Sequence, residues 1–178
     1  MRGGVLGILK RFLAFFIIVS ALFGAEIGES NLQVLIKKCD EKDKVACGAV
    51  SRFYGKSASH NNKEATNLWV EYALKGCELK DGESCYIVAV HYADVVSFPR
   101  YFQQIDEAKE EEYYTKACDY KYALACNMLG LIYFIKSQDA ESSEKKSAKN
   151  KSKHFFKKAC NLGYELSCRE ILDLPESE

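Results

Sequence analysis

The sequence predicts an all-α fold of stacked antiparallel helix pairs, and three observations carry that prediction. A Cys-x7-Cys unit occurs four times, at 39–47, 77–85, 118–126 and 160–168, and uses all eight cysteines of the 178-residue chain. The first cysteines succeed one another at intervals of 38, 41 and 42 residues, a period typical of helix-pair repeats. Apolar residues recur at helical spacing on both sides of each unit, and no strand-like alternation survives a pass along the chain.

The four units share more than their cysteines. A lysine stands two residues before each first Cys (Lys37, Lys75, Lys116, Lys158), and a small residue precedes each second one (Ala46, Ser84, Ala125, Ser167). In an unbroken helix, residues eight apart are separated by about 12 Å along the axis. A disulfide tolerates Cα separations only to about 7 Å, so a bonded pair requires the chain to reverse. Asp81-Gly82 and Leu162-Gly163 are turn or helix-stop signals. The other two corners, Asp40–Lys44 and Asp119–Tyr122, contain no glycine. Eight cysteines can pair in many ways. The fixed local spacing favours nearest neighbours: Cys39–Cys47, Cys77–Cys85, Cys118–Cys126 and Cys160–Cys168. Zinc is the rival, but structural zinc sites use tighter spacings and the three histidines (His60, His91, His154) do not repeat. No metal and no cofactor are expected.

In chain order, Ser30-Asn31-Leu32-Gln33 has the form of a capping box opening a helix over about 31–39, with Leu32, Leu35 and Ile36 on one face. Lys37 and Lys38 fall in its last turn, where cations favour the helix dipole; Lys75, Lys116, Lys157 and Lys158 repeat that placement. Further helices are expected over about 46–56, 64–77, 84–95, 105–118, 125–136, 147–160 and 167–174. Pro99 breaks the chain after the fourth. Ser137–Lys146, rich in Ser, Glu and Lys, is expected to be an exposed loop. Pro175 stops the last helix, and 175–178 is an acidic tail.

The first 25 residues are expected to be a signal peptide. Arg2, Lys10 and Arg11 precede an apolar run from Phe12 to Leu22, which ends in Phe23-Gly24-Ala25. That run is shorter than the roughly 20 residues a spanning helix needs. The repeat domain then occupies 26–178, in an oxidising compartment, either periplasmic or extracellular. Without the leader, 22 basic and 25 acidic residues leave a net charge of −3. The charges are mixed along the chain, without the basic stripe that nucleic-acid binding needs.

Large aromatics also repeat. Tyr54, Tyr92 and Tyr133 stand seven residues after a second Cys, and Tyr72, Tyr113 and Phe155 five before the next first Cys. Both sets are expected to form core between stacked pairs. Positions one and five after the second cysteines vary instead: Gly48, Tyr86 and Asn127, then Arg52, Val90 and Leu131. Residues i and i+4 share a face. A changing face on a constant frame makes Arg52, Tyr86, Val90, Asn127 and Leu131 the candidate ligand-binding residues.

The Cys-x7-Cys corners, the Lys-Ala-Cys lead-in and Asn127-Met128-Leu129-Gly130-Leu131-Ile132-Tyr133 resemble Sel1-like repeats, and more narrowly the secreted Helicobacter cysteine-rich proteins. The resemblance covers about residues 31–173. Its Leu-Gly pair is intact only at Leu129-Gly130, with Val50-Ser51 and Val88-Ala89 elsewhere. It implies a right-handed, TPR-like α-solenoid with one disulfide per helix pair, exported, with a concave face. The variable positions make that face the expected seat of a peptide-like or cell-wall-derived (muropeptide-like) ligand, or of a host or periplasmic protein, and the chain is expected to be monomeric. The resemblance also implies, as alternatives, β-lactamase or penicillin-binding activity on penam or cephem amides, and a role as a secreted host-interaction factor. No catalytic motif accompanies that activity. Ser142-Ser143-Glu144-Lys145 and the overlapping Ser143–Lys146 match Ser-x-x-Lys by letter in a low-complexity stretch, and neither Ser-Asp-Asn nor Lys-Thr-Gly is present.

Overall fold

The computed structural model describes residues 29–58, 62–93, 104–139 and 141–173. The leader expected at 1–25, the Pro99 break and the tail at 175–178 lie outside them. Residues 1–34 and 35–178 form two units; the staples, the main core cluster and the hollows at the surface belong to the second. The elements are α1 (Glu29–Asp40), α2 (Lys44–Ser57), α3 (Lys63–Glu78), α4 (Gly82–Tyr92), α5 (Glu107–Asp119), α6 (Ala123–Asp139), α7 (Ser142–Asn161) and α8 (Glu165–Asp173). Ser30 lies inside the first turn of α1 rather than at its cap. From α2 onward, each helix packs mainly on its sequence neighbours.

All four nearest-neighbour disulfides are formed, with Cα separations of 4.7, 4.5, 4.7 and 4.9 Å, inside the range such a bond accepts. The backbone reversal between the cysteines is the same each time. The third residue after the first Cys takes the left-handed conformation: Lys42 (φ 69°), Lys80 (65°), Lys121 (67°) and Gly163 (92°). Its N–H donates to the first Cys carbonyl, and the next N–H donates to the residue before that Cys. The pairs are Lys42 to Cys39 with Asp43 to Lys38, Lys80 to Cys77 with Asp81 to Gly76, Lys121 to Cys118 with Tyr122 to Ala117, and Gly163 to Cys160 with Tyr164 to Ala159. This is a Schellman stop. In the first two corners the residue after the left-handed one then caps the next helix: Asp43 accepts from Val45 and Ala46, and Asp81 from Ser84.

Gly82 therefore is not the turn glycine its sequence context suggests. It opens α4 where the next corner presses close: a Cβ there would meet Tyr122 Cβ at 3.0 Å and Tyr120 O at 3.1 Å. The departures from Leu-Gly also have a physical basis. At Gly130 the ring of Phe156 occupies the space a Cβ would take, 2.5 Å away, and the Ser152 hydroxyl donates to the Gly130 carbonyl at 2.9 Å. Ser51, the equivalent position in an earlier pair, donates to the Trp69 carbonyl at 3.0 Å.

The repeated aromatics stack between consecutive pairs as expected. Tyr54 lies on Tyr72, Tyr92 on Tyr113 and Tyr133 on Phe155, with centroids 5.9, 5.8 and 5.6 Å apart and planes within 17° of parallel. A lysine covers an outer face of each stack: Lys75 over Tyr72, Lys116 over Tyr113 and Lys136 over Tyr133. Each lies three residues along the helix from its ring, so the contact comes with the register.

The stretch expected to be a loop at Ser137–Lys146 is mostly helix. α6 continues to Asp139 and α7 starts at Ser142, because Glu, Lys and Ala are strong helix formers and no Gly or Pro interrupts them. The two helices, of 17 and 20 residues, are the longest among the described residues and pack against each other.

A left-handed lysine costs about 1–2 kcal/mol against glycine, less what glycine loses in chain entropy. Lys80→Gly and Lys121→Gly should thus each raise the calorimetric melting temperature of oxidised protein by about 1–4 °C, and Gly163→Ala should lower it by a similar amount. The Tyr114 side chain is fully buried, and its hydroxyl has no hydrogen-bond partner among the described residues. Relieved of that desolvation, Tyr114→Phe should gain about 1 kcal/mol in urea denaturation, whereas Tyr114→Ala should lose about 3–5 kcal/mol.

Candidate functional site

The five residues that stand out by their variability do not share an open face. Val90 is 3% exposed and belongs to the core with Cys118, Leu129 and Ala159. Asn127 is buried, and its Oδ1 accepts from the Ser167 hydroxyl at 2.7 Å. The Tyr86 ring packs between Tyr114 and Tyr122, with centroids at 5.7 and 5.2 Å; burial pushes its hydroxyl pKa up. Leu131 is half-buried. Arg52 alone is exposed, and it bridges α2 to α4 through Glu83 at 2.6 Å. Positions one and five after the second Cys vary because each meets a different neighbour in the adjacent pair. For Tyr86, Val90 and Asn127 the variation records packing.

A different surface has the geometry of a binding site. It lies where α5, α6 and α7 meet, centred on Tyr133. The Tyr133 hydroxyl donates to Glu111 Oε1 of α5. Lys136 Nζ donates to Glu111 Oε2 at 2.7 Å. Lys151 Nζ lies 3.4 Å from the Tyr133 oxygen and 4.7 Å from the ring centroid. Burial raises the Glu111 pKa, but the hydrogen bonds from Lys136 and Tyr133 outweigh it and hold the carboxyl below its usual value. The Tyr133 hydroxyl is pushed up to about 12 by burial and by the Glu111 carboxylate. At neutral pH Glu111 is therefore a carboxylate and Tyr133 a neutral phenol.

Three hollows adjoin this bridge. One of about 470 Å³ is lined by Tyr133, Ile135, Lys136, Ser147 and Lys151. A second, about 340 Å³, lies across the Lys136 side chain among Ile105, Glu107, Glu111 and Ile132. A third, about 380 Å³, continues along α7 past Asn150, Lys151 and His154. Ile105 and Ile135 are 58% and 60% exposed and line the second hollow together. Their exposure, beside fixed charges of both signs, is the distinguishing feature of the cleft.

Sequence reasoning identifies Tyr133 only as core, which its stack on Phe155 supports, and it misses Glu111, Lys136, Lys151, Ile105 and Ile135. One signal is available. Leu131-Ile132-Tyr133-Phe134-Ile135 is five apolar residues in a row, more than one helix face can bury, and Phe134 and Ile135 are indeed exposed. Among the described residues no cluster of three or more His, Cys, Asp or Glu could hold a metal. The side chains of Ser142 and Ser143 lie outside the described set. Among the described residues no helix is long and apolar enough to cross a membrane.

The Glu111 bridge makes stability pH-dependent with a defined sign. A lowered carboxyl pKa contributes stability in full above the usual glutamate value of 4.5 and loses it as pH falls below that value through the lowered one. Urea midpoints measured from pH 6 downward should fall more steeply for the native chain than for Glu111→Gln below about pH 4.5.

No family model matches the chain. It is 31% identical over 146 residues to cytochrome c oxidase assembly factor 7 of Xenopus tropicalis. That match covers 79% of this chain and 58% of the factor, so the chain spans little more than half the length of that relative. Among solved structures, a Sel1 repeat protein from Oxalobacter formigenes superposes with a TM-score of 0.57 at 20% identity, over 80% of this chain and 98% of the other. With its paired helices and four formed staples, the chain is a cysteine-rich repeat protein with the Sel1 fold.

Proposed function

We propose that the chain is an exported repeat protein that holds a peptide segment of a partner protein in the cleft between α5, α6 and α7. The observation that carries this reading is the exposure of Ile105 and Ile135 on the walls of adjoining hollows. Aliphatic side chains set in a cleft and flanked by polar groups are what a partner's apolar anchor covers. The Glu111–Tyr133–Lys136 bridge is already assembled in the free protein, so binding does not have to order it. Its mixed signs suit a polypeptide, which carries both donors and acceptors, better than a polyanion.

Two further facts support the reading. Four disulfides persist in oxidising surroundings, in keeping with the signal peptide expected at 1–25. The curated relative is by name an assembly factor, which is in keeping with a polypeptide ligand here. A peptide of cell-wall origin, or a segment of a host protein, would use the same walls. Hydrolysis of β-lactams is supported by the family resemblance alone. Of the five variable positions, Arg52 keeps an exposed cationic group and is the internal comparison for the test.

Oxidised protein should retain ligands from a fluorescent peptide library in anisotropy titrations. Ile135→Lys and Ile105→Lys should each weaken the retained peptides by about tenfold or more, with the melting temperature unchanged and Arg52→Ala without effect. A tenfold loss on Arg52→Ala with both isoleucine variants unaffected would move the site to the α2–α4 face.

A further inference from the structure

The four staples are not equally protected. Cys39, Cys47, Cys77, Cys85, Cys118 and Cys126 are all buried, none more than 5% exposed, whereas Cys160 and Cys168 are both partly exposed. The sulfurs differ in the same way. Sγ of Cys47, Cys85 and Cys126 lies buried 3.6–3.7 Å from the carbonyl of its bonded partner. Sγ of Cys168 is only part-buried and sits 3.9 Å from the Tyr164 carbonyl instead. An earlier corner is covered by the next one along the chain: Tyr120 and Tyr122 close over Gly82.

We propose that Cys160–Cys168 is a thiol–disulfide exchange site, opened selectively by a dithiol while the other three staples remain closed. A disulfide is broken by a thiolate that must approach one sulfur along the S–S axis, so access decides which bond reacts in the folded protein. The thiolate of the dithiol attacks Sγ of Cys168, the S–S bond breaks, and Cys160 leaves as a thiolate that takes up a proton. The second thiol of the dithiol then attacks the mixed disulfide and releases Cys168 as its thiol. The chain gains two electrons and two protons, and the dithiol becomes a disulfide.

The consequence is confined to α8. This helix has nine residues, too few to persist alone in water. Apart from the staple, it is joined to the core by packing on α7 and by the buried Ser167–Asn127 hydrogen bond. Opening the staple leaves α8 free to detach, and detachment uncovers Asn127. This inference does not rest on the peptide-binding reading.

The test is timed reduction of the full-length oxidised protein with dithiothreitol under native conditions, quenched with N-ethylmaleimide and mapped by peptide mass spectrometry. Cys160 and Cys168 should be alkylated about tenfold faster or more than the other six, as for a local opening about 1.4 kcal/mol easier than unfolding. Trypsin should cut at Arg169 only after that step. Equal rates at all four pairs, or earlier labelling at Cys39 and Cys47, would overturn the proposal. The doubly substituted Cys160→Ser, Cys168→Ser chain should be cut at Arg169 without reductant and keep its remaining six cysteines unlabelled; resistance at Arg169 would also overturn it. If that variant does not fold, the rates in the native chain still decide.

Discussion

The structure depends on one backbone reversal, repeated four times. A helix ends in a Schellman stop, the residue after the stop opens the next helix, and a disulfide closes the corner across seven intervening residues. One thing opposes this geometry: three of the four corners place a lysine where glycine is favoured. On the chain-entropy model a nine-residue loop contributes roughly 2.5 kcal/mol per disulfide. That exceeds the about 1–2 kcal/mol cost of a left-handed lysine. The staple lets the corner tolerate a residue that the backbone alone disfavours.

Between corners, the pairs are held by groups at constant distance from the cysteines. The aromatic stacks recur because each ring is a fixed number of helical residues from a staple, and each covering lysine lies three residues on from a ring. The buried small positions do not recur in identity, yet they do in function. Ser51 reaches across to the Trp69 carbonyl in one pair, and Ser152 reaches back to Gly130 in another. The same interhelical hydrogen bond is made with donor and acceptor exchanged. Gly130 and Phe156 are related similarly, since the missing side chain of one makes room for the ring of the other.

The period and spacing of the cysteines made the fold class, the helix pairs and the four bonds legible, because each rests on distances that any helix must obey. The aromatic stacks were legible for the same reason. The left-handed lysines were not: their side chains carry no signal for that conformation, and Asp81-Gly82 drew attention away from Lys80. The candidate cleft was not legible. Tyr133, Lys136, Ser147 and Lys151 lie inside helices that the periodicity predicts, but Ser137–Lys146 has the letters of a loop, which leaves open how those two helices pair and so which of their side chains meet. The burial of several variable positions after each second Cys was not legible, because a packed position facing a changing neighbour varies as freely as a surface one. Tyr86 and Val90 show it most plainly.

Each cysteine is bonded to its neighbour in the series along the chain, and no bond spans another. That has a consequence for how the protein is made. When a chain emerges from its N-terminus into an oxidant, the first thiol to appear meets its correct partner before any wrong one is available. The same holds at every later corner. Oxidation in order of appearance would yield the native set without shuffling, so a chain delivered in that direction would need only a source of oxidising equivalents and no proofreading of connectivity.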